Sequence, residues 1–342
     1  MKVLSQGLIE RDVSLRSFNT FGVEANAALF ARVRSLEDLQ RVLADRRVAG
    51  VPLLVLGGGS NVLFTQDFDG FVLRIEIPGM QRDDDGGRWL VQVGAGENWH
   101  AIVERLMGDD VPGLENLALI PGSVGAAPIQ NIGAYGVELA ERFDRLQVWD
   151  FPTQTLQTLT ADECGFGYRD SIFKRANESR LIVNVTLALP RQWTPVTGYA
   201  DVQNELRDRS ISQPRPRDVF DAVVAIRRRK LPDPAQVGNA GSFFKNPVIS
   251  RQQRSALIER HPSLVSYDIG GGRYKLAAGW LIDACGLKGT VRGRAAVYAK
   301  QALVLVNLGG ATGAEILALA REVQDAVRAR FSIELEPEPR II

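Results

Sequence analysis

The stretch GNAGSFFKNP, residues 238–247, sets a single hydroxyl, Ser242, between a glycine and two phenylalanines. One reading places the backbone against a ligand and aims Ser242 into a dry pocket. The other is a turn leading into a short strand, because Gly and Asn cluster in turns. A core strand is not expected across Gly238 and Gly241, since glycine weakens strands unless something approaches the backbone closely. Two glycine-rich loops also carry chemical potential: LGGGSNVLF (56–64) and IPGSVGAAPIQNIGAYG (120–136). Glycines after a strand let backbone N–H groups converge on an anion. Apolar residues in the second loop could cover a flat ring. A pair of tight turns and a cradle for a large dinucleotide both stay open at this point.

Other chemistries lack their residues. No G-x-x-x-x-G-K-[ST] is present, and GAGENW (94–99) lacks the third glycine of a dinucleotide fingerprint. No H-E-x-x-H motif or cysteine cluster points to a metal, and none is expected. With only His100 and His261, a Ser-His-Asp triad has little support, and both histidines read as structural. Proton transfer must then rest on Ser, Tyr, Lys or carboxylates.

The elements that position these residues follow from periodicity. Ser35 caps a helix that places Leu36, Leu39 and Leu43 on one face. Segments 51–57, 70–75 and 88–94 read as strands, and ENWHAIVERLM (97–107) as an amphipathic helix. The segment 113–136 has little charge and many apolar residues, so it reads as buried or ligand-covered loop rather than linker. Strand patterning resumes at 143–151 and 180–189. QALVLVN (301–307) precedes the clearest helix, 311–331, opened by a Thr312/Glu315 capping box. Proline-rich joints at 213–218 and 231–236 are candidate boundaries.

The bulk numbers fit. At 342 residues the chain suits two or three domains. A net charge of +1 gives no broad case for nucleic acid or anionic membrane. Two cysteines cannot make a disulfide framework, no run is long enough to span a bilayer, and the N-terminus acquires charge too early for a signal peptide. A cytoplasmic location is the expectation.

Ordered strings now carry a resemblance. SFNTFGVEA (17–25), LGGGSNVLF, GAGENWH (94–100), LENLALIPGSVG, IQNIGAYG, FGYRDSIFK (166–174), KLPDP (230–234), GNAGSFFKNP, KLAAGWLIDACGLKG (275–289), QALVLVN and LEPE (335–338) resemble the UDP-N-acetylenolpyruvoylglucosamine reductase family along nearly the whole chain. The segment WTPVTGYAD (193–201) matches the insertion of its longer, tyrosine-loop type. The resemblance implies an α+β fold with α/β elements. Two domains would form the FAD-binding module of vanillyl-alcohol-oxidase-like enzymes, and a C-terminal domain would bind substrate. It implies subdomains over 1–78 and 79–231, a substrate domain over 232–331, and a tail, 332–342, returning to the first. It also implies non-covalent FAD, NADPH as co-substrate, reduction of an enolpyruvyl-UDP-sugar, and a monomer.

The resemblance assigns residues. Ser242 would donate the proton, Arg169 of GYRDS would hold the substrate carboxylate, and Glu338 of LEPE would polarise it. Glu336 is the alternative carboxylate, because Pro339 stands where the family usually has valine. Gly57, Gly58, Gly59, Ser60, Asn61 and Val62 of the first loop would hold FAD. So would Pro121, Gly122, Ser123, Val124 and Gly125, together with Asn131, Gly133, Ala134, Tyr135 and Gly136. Tyr168, Tyr199, Arg227, Lys230, Asn246, Lys275 and Gln301 would face substrate, with Tyr199 in a loop closing over the diphosphate. A flavin oxidase of the same fold and a non-catalytic UDP-sugar or flavin-binding protein are the competing readings.

Overall fold

A computed structural model describes residues 8–175 and 179–342. The chain forms two compact units. The first comprises residues up to Val13, Ala27–Gly59 and Asp69–Arg229; the second comprises Ser14–Asn26, Ser60–Phe68 and Lys230–Ile342.

In the first unit, Leu53–Leu56 pairs in parallel with Phe68–Ile75 inside a four-stranded sheet. A five-stranded sheet runs in the order Thr155–Thr160, Phe143–Asp150, Arg180–Pro190, Arg88–Gly94, Met80–Asp84, every pairing antiparallel. Ser35 caps the helix Leu36–Leu43 by accepting the Asp38 amide, and Leu39 and Val42 are its buried face. Asn98 caps the helix Trp99–Gly108 in the same way, a contact worth about 1 kcal/mol. That helix buries Trp99, Ile102, Val103 and Leu106, and the Trp99 indole donates to the Leu117 carbonyl at 2.9 Å. The low-charge segment 113–136 is buried loop with short 3-10 turns. Leu114, Leu117, Val124, Ala127 and Ile132 lie in the core, while Ile129 is exposed. The strand Thr155–Thr160 has only Leu159 buried, which explains its weak sequence pattern. The proline-rich joint at 213–218 is no boundary: Pro216 opens the helix Pro216–Lys230, where its missing N–H is harmless. The second joint, 231–236, lies just past the division at Arg229/Lys230.

In the second unit a four-stranded sheet runs Gly238–Ser242, Val304–Asn307, Ala295–Val297, Val291–Arg292. The helix Gly313–Phe331 follows, with the Thr312/Glu315 capping box in place. A second, three-stranded sheet runs Val248–Ser250, Arg273–Leu276, Ser266–Asp268. The C-terminal Arg340–Ile341 pairs in parallel with Val62–Leu63. Among the described residues no helix is long and apolar enough to cross a membrane, and no His, Cys, Asp and Glu cluster suits a metal.

Candidate functional site

The first unit packs the two glycine-rich loops together. A Cβ on Gly57 would sit 2.5 Å from the Ser123 Oγ, and one on Gly58 would sit 2.7 Å from the Gly122 Cα. Only glycine permits that approach. The second loop is backed by GAGENW, whose failure as a dinucleotide fingerprint hides another use. Trp99 N donates to the Gly122 carbonyl, Val124 N to Glu97 and Gly125 N to Ala95, at 2.9–3.0 Å. Ser123 is 6% exposed, and its Oγ has no hydrogen-bond partner among the described residues. A buried hydroxyl costs free energy until it is paired, so this atom awaits a polar ligand where the loops meet. The same loop is clamped on its far side: His100 Nδ1 accepts the Leu119 amide at 3.1 Å, and its ring stacks on Phe220 at 5.9 Å. Burial lowers the His100 pKa from 6.5, keeping it neutral. Both histidines serve packing, His261 resting against Phe331.

Residues 129–133 receive the GYRDS segment through three rungs. Asn131 donates to the Gly167 carbonyl at 3.1 Å, Ser171 Oγ to Ile129 at 2.6 Å, and Arg169 to the Gly133 carbonyl at 2.8 Å. Arg169, Asn131, Tyr135 and Leu119 all have φ between +43° and +56°. Side chains rarely tolerate that region, and such strain persists where surroundings over-determine it. The Asn131 side chain is fully engaged, with Glu138, Gly167 and the Ala140 amide as partners, and its backbone bonds Pro128 and Arg169. Tyr168 lies beside Arg169, whose guanidinium carbon is 5.7 Å from the ring centre.

Tyr199 precedes the helix Ala200–Asp208 and is exposed. Its ring meets Tyr135 edge to face at 5.3 Å. Arg227 lies close enough to Tyr135 for its charge to act on the phenol. Burial pulls the Arg227 pKa down, Arg169 adds like-charge repulsion, and Arg227 Nε has no partner among the described residues. Burial likewise pushes the Tyr135 phenol up. A confined cation with an open donor is suited to an anionic group. Lys230, half-buried, is the last residue of the Arg227 helix.

The second unit holds Ser242. Contrary to the sequence-based expectation, Gly238–Ser242 is a strand, paired with Val304–Asn307 through an irregularity between Asn239 and Ser242. What approaches the glycine is the chain itself: a Cβ on Gly238 would fall 2.1 Å from the Phe21 carbonyl. Gly241, at φ +70°, makes the kink. Phe243 and Phe244 are fully buried, a contribution of about 1.5–3 kcal/mol each. Ser242 itself is half-buried, and no partner for its hydroxyl occurs among the described residues. The Glu338 segment lies alongside: Glu338 N donates to Phe243 O at 2.8 Å, and Lys245 N to Glu336 O at 2.9 Å. Glu336 is exposed and ion-paired with Lys245, which speaks against it as the alternative acid. Asn61 donates to the Glu338 carbonyl at 3.1 Å.

The remaining substrate-side candidates also lie in this unit. Asn246 Oδ1 accepts the Ala278 amide at 2.9 Å, and Gln301 Oε1 accepts Leu303 N at 3.3 Å. Lys275 sits mid-strand opposite Val248. Gln301 lies just before the strand that begins at Val304 rather than within it. Missing from the sequence reading were Glu115 and Asn116, both buried, whose side chains hold Trp193 and the carbonyls of Tyr135 and Val196. Two polar residues inside the apolar run 114–120 were the available signal.

Residues 27–160 match the FAD binding domain family. Residues 233–342 match the C-terminal domain of UDP-N-acetylenolpyruvoylglucosamine reductase. The UDP-N-acetylenolpyruvoylglucosamine reductase of Ralstonia nicotianae is 55% identical over 340 residues, covering 98% of this chain and 99% of that protein. That of Burkholderia mallei is 59% identical over 333 residues, covering 96% of each. A solved structure, the UDP-N-acetylenolpyruvylglucosamine reductase of Thermus caldophilus, superposes with a TM-score of 0.68 at 27% identity, covering 97% of this chain and 98% of that one. Full-length likeness at this level settles the family: the chain belongs to the UDP-N-acetylenolpyruvoylglucosamine reductases.

Proposed function

We propose that this chain is a flavoenzyme that uses NADPH to reduce the enolpyruvyl ether of UDP-N-acetylglucosamine to the lactyl ether, giving UDP-N-acetylmuramate for peptidoglycan synthesis. The observation that carries it is the pairing of Ser242's strand with the Glu338 segment, in a chain that matches these reductases from end to end. FAD fits the residues present. The close-packed backbone of Gly57, Gly58 and Gly122 and the buried, unpartnered Ser123 hydroxyl suit a pyrophosphate. Ser60, Asn61, Val62 and Gly59, with Pro121, Val124 and Gly125, extend that assignment, and Asn131, Gly133, Ala134, Tyr135 and Gly136 provide further backbone. Bound there, FAD would supply the redox chemistry that links NADPH oxidation to hydride addition at the methylene carbon of the substrate.

The chain's own residues handle charge and proton. Hydride addition to the methylene leaves the electron pair on the neighbouring carbon, delocalised into the carboxylate. Arg169 offers a planar fork for those oxygens, and Glu338 polarises the same group. Ser242 Oγ gives its proton to that carbon. A weak acid suffices because the carbon is strongly basic, and the flanking phenylalanines exclude water. Overall, NADPH and one proton are consumed, and NADP⁺ and the lactyl ether are formed. Tyr199, Arg227 and Lys230 take the diphosphate end, with Tyr168, Asn246, Lys275 and Gln301 as polar contacts to substrate. In this reading the larger unit carries two FAD subdomains divided near residue 78, the region 232–331 binds substrate, and the enzyme acts as a cytoplasmic monomer.

The purified protein should be yellow, lose its flavin absorbance with NADPH, and regain it anaerobically on adding the enolpyruvyl-UDP-sugar. Protein that is colourless and takes up no flavin overturns the proposal. Colour restored by oxygen but not by that substrate points to an oxidase instead.

A further inference from the structure

We propose that Asn116, backed by Glu115, is a positioning residue that ties the segment carrying Tyr199 to the glycine-rich loop carrying Tyr135, and thereby sets substrate affinity. The proposal rests on reading Tyr199 as a substrate contact. Asn116 is 1% exposed, in the 3-10 turn Glu115–Leu117. Its amide nitrogen has two hydrogens, and both are committed: one to the Tyr135 carbonyl and one to the Val196 carbonyl, each at 2.8 Å. One atom therefore fixes the distance between two loops that are 61 residues apart in sequence (135 to 196).

Each end of that link matters. Tyr135 holds φ +49°, a conformation a tyrosine keeps only when its carbonyl is held. Its ring packs on Tyr199 edge to face. On the other side, Val196 is three residues before Tyr199, and its Cγ1 lies 3.3 Å from where a Cβ on Gly136 would be. The adjacent Glu115 grips the same segment again, accepting the Trp193 indole N–H at 2.7 Å while its other oxygen accepts the Gly113 amide at 2.7 Å. Two successive side chains thus anchor residues 193 and 196, and the aromatic pair depends on both anchors. The Asn116 Oδ1 is buried with no partner among the described residues. The amide is therefore in place for its two donors, which a leucine or serine of similar reach does not supply.

The experiment compares wild type, Asn116→Ala and Trp193→Phe by anaerobic stopped flow, with FAD content measured on each. Trp193→Phe keeps an aromatic ring, removes the N–H, and sits at a half-buried position that tolerates the smaller side chain. Asn116→Ala should raise the KM for the enolpyruvyl-UDP-sugar about tenfold, by loss of two hydrogen bonds, and Trp193→Phe about threefold, by loss of one. Flavin reduction by NADPH and FAD content should stay within about twofold of wild type in Trp193→Phe, whose lost bond lies on the Tyr199 segment, and Asn116→Ala, which also frees the Tyr135 carbonyl, is compared at saturating FAD. An unchanged substrate KM, or an equal fall in both half-reactions, overturns the proposal, and Trp193→Phe decides it if Asn116→Ala does not fold. A wild-type protein that does not turn the sugar over removes the functional reading itself, a result distinct from either.

Discussion

The amide of Glu338 donates a 2.8 Å hydrogen bond to the carbonyl of Phe243, the residue that follows Ser242. That bond, with Lys245 N to Glu336 O, sets the register between the serine strand and the C-terminal tail. Further along, Arg340 N donates to Asn61 O and Ile342 N to Leu63 O. Donors are thus used at 338, 340 and 342, while 337 and 339, where no amide bond is made, are both proline. Pro339 departs from the family's usual valine, yet it falls where the strand alternation requires no donor. The backbone of Glu338 is therefore held on both sides of the proline.

If Ser242 is the proton donor, Ser242→Ala separates the two half-reactions. Flavin reduction by NADPH should stay within about twofold of wild type, while reoxidation by the enolpyruvyl substrate falls by about 10²–10⁴, the usual size of a lost general acid. The fold should be undisturbed, because the hydroxyl bonds no described residue and the strand pairing is backbone. Equal losses in both steps, read by anaerobic stopped flow, rule the assignment out.

The packing of the glycine loops gives a steric prediction. A Cβ on Gly58 meets the Gly122 backbone at 2.7 Å, and backbone cannot swing aside as a side chain does. Overpacking of this kind costs about 1–3 kcal/mol. Gly58→Ala should therefore weaken FAD binding roughly tenfold or more, measured by fluorescence titration of the apoprotein. Gly108→Ala is the control: it ends a helix with nothing within 4 Å of the added carbon, and it should leave affinity unchanged. FAD retained by Gly58→Ala as by wild type would show that the loops do not form the cradle.

Much of this was legible from the residues, and the failures have physical causes. Helix caps at Ser35 and Thr312 were readable because each is a local contact between neighbours in sequence. The glycines of 57–59 and 122–125 announced close approach, but not what approaches. For Gly238 it is the Phe21 carbonyl, more than 200 residues away in sequence, so a segment taken for a turn is a strand. The left-handed backbone at Tyr135 and Arg169 left no trace in residue type, whereas Asn131 is of a type that enters this region more readily. Arg169, Ser242 and Glu338 were found through family strings. Their spacing alone carries no such signal, because the groups are gathered by tertiary pairing. Asn116 was passed over because an amide among leucines looks like loop, until its two carbonyl partners are seen.

The last prediction concerns acid. His100 accepts the Leu119 amide through Nδ1, which demands an unprotonated nitrogen. Burial is the main cause of its lowered pKa. Arg228 and Arg227 act in the same direction and Glu104 opposes them. Because the folded pKa lies below the unfolded value of 6.5, this contribution to stability is present above about pH 6.5 and is lost as pH falls through the folded pKa. Protonation also removes the acceptor from Leu119, the residue that leads into Ile120–Gly125. The wild-type Tm should therefore drop, and FAD release quicken, as pH falls from about 6.5 to about 5.5. His100→Gln keeps an acceptor and cannot take a proton, so its Tm should change less over that interval, although its absolute value at neutral pH is lower from lost stacking on Phe220. Carboxylates such as Asp45, held at about 2 by Arg47, titrate well below this window and do not confound it. Equal pH slopes for the two proteins, measured by differential scanning fluorimetry on flavin emission, would mean that His100 does not couple protonation to the loop.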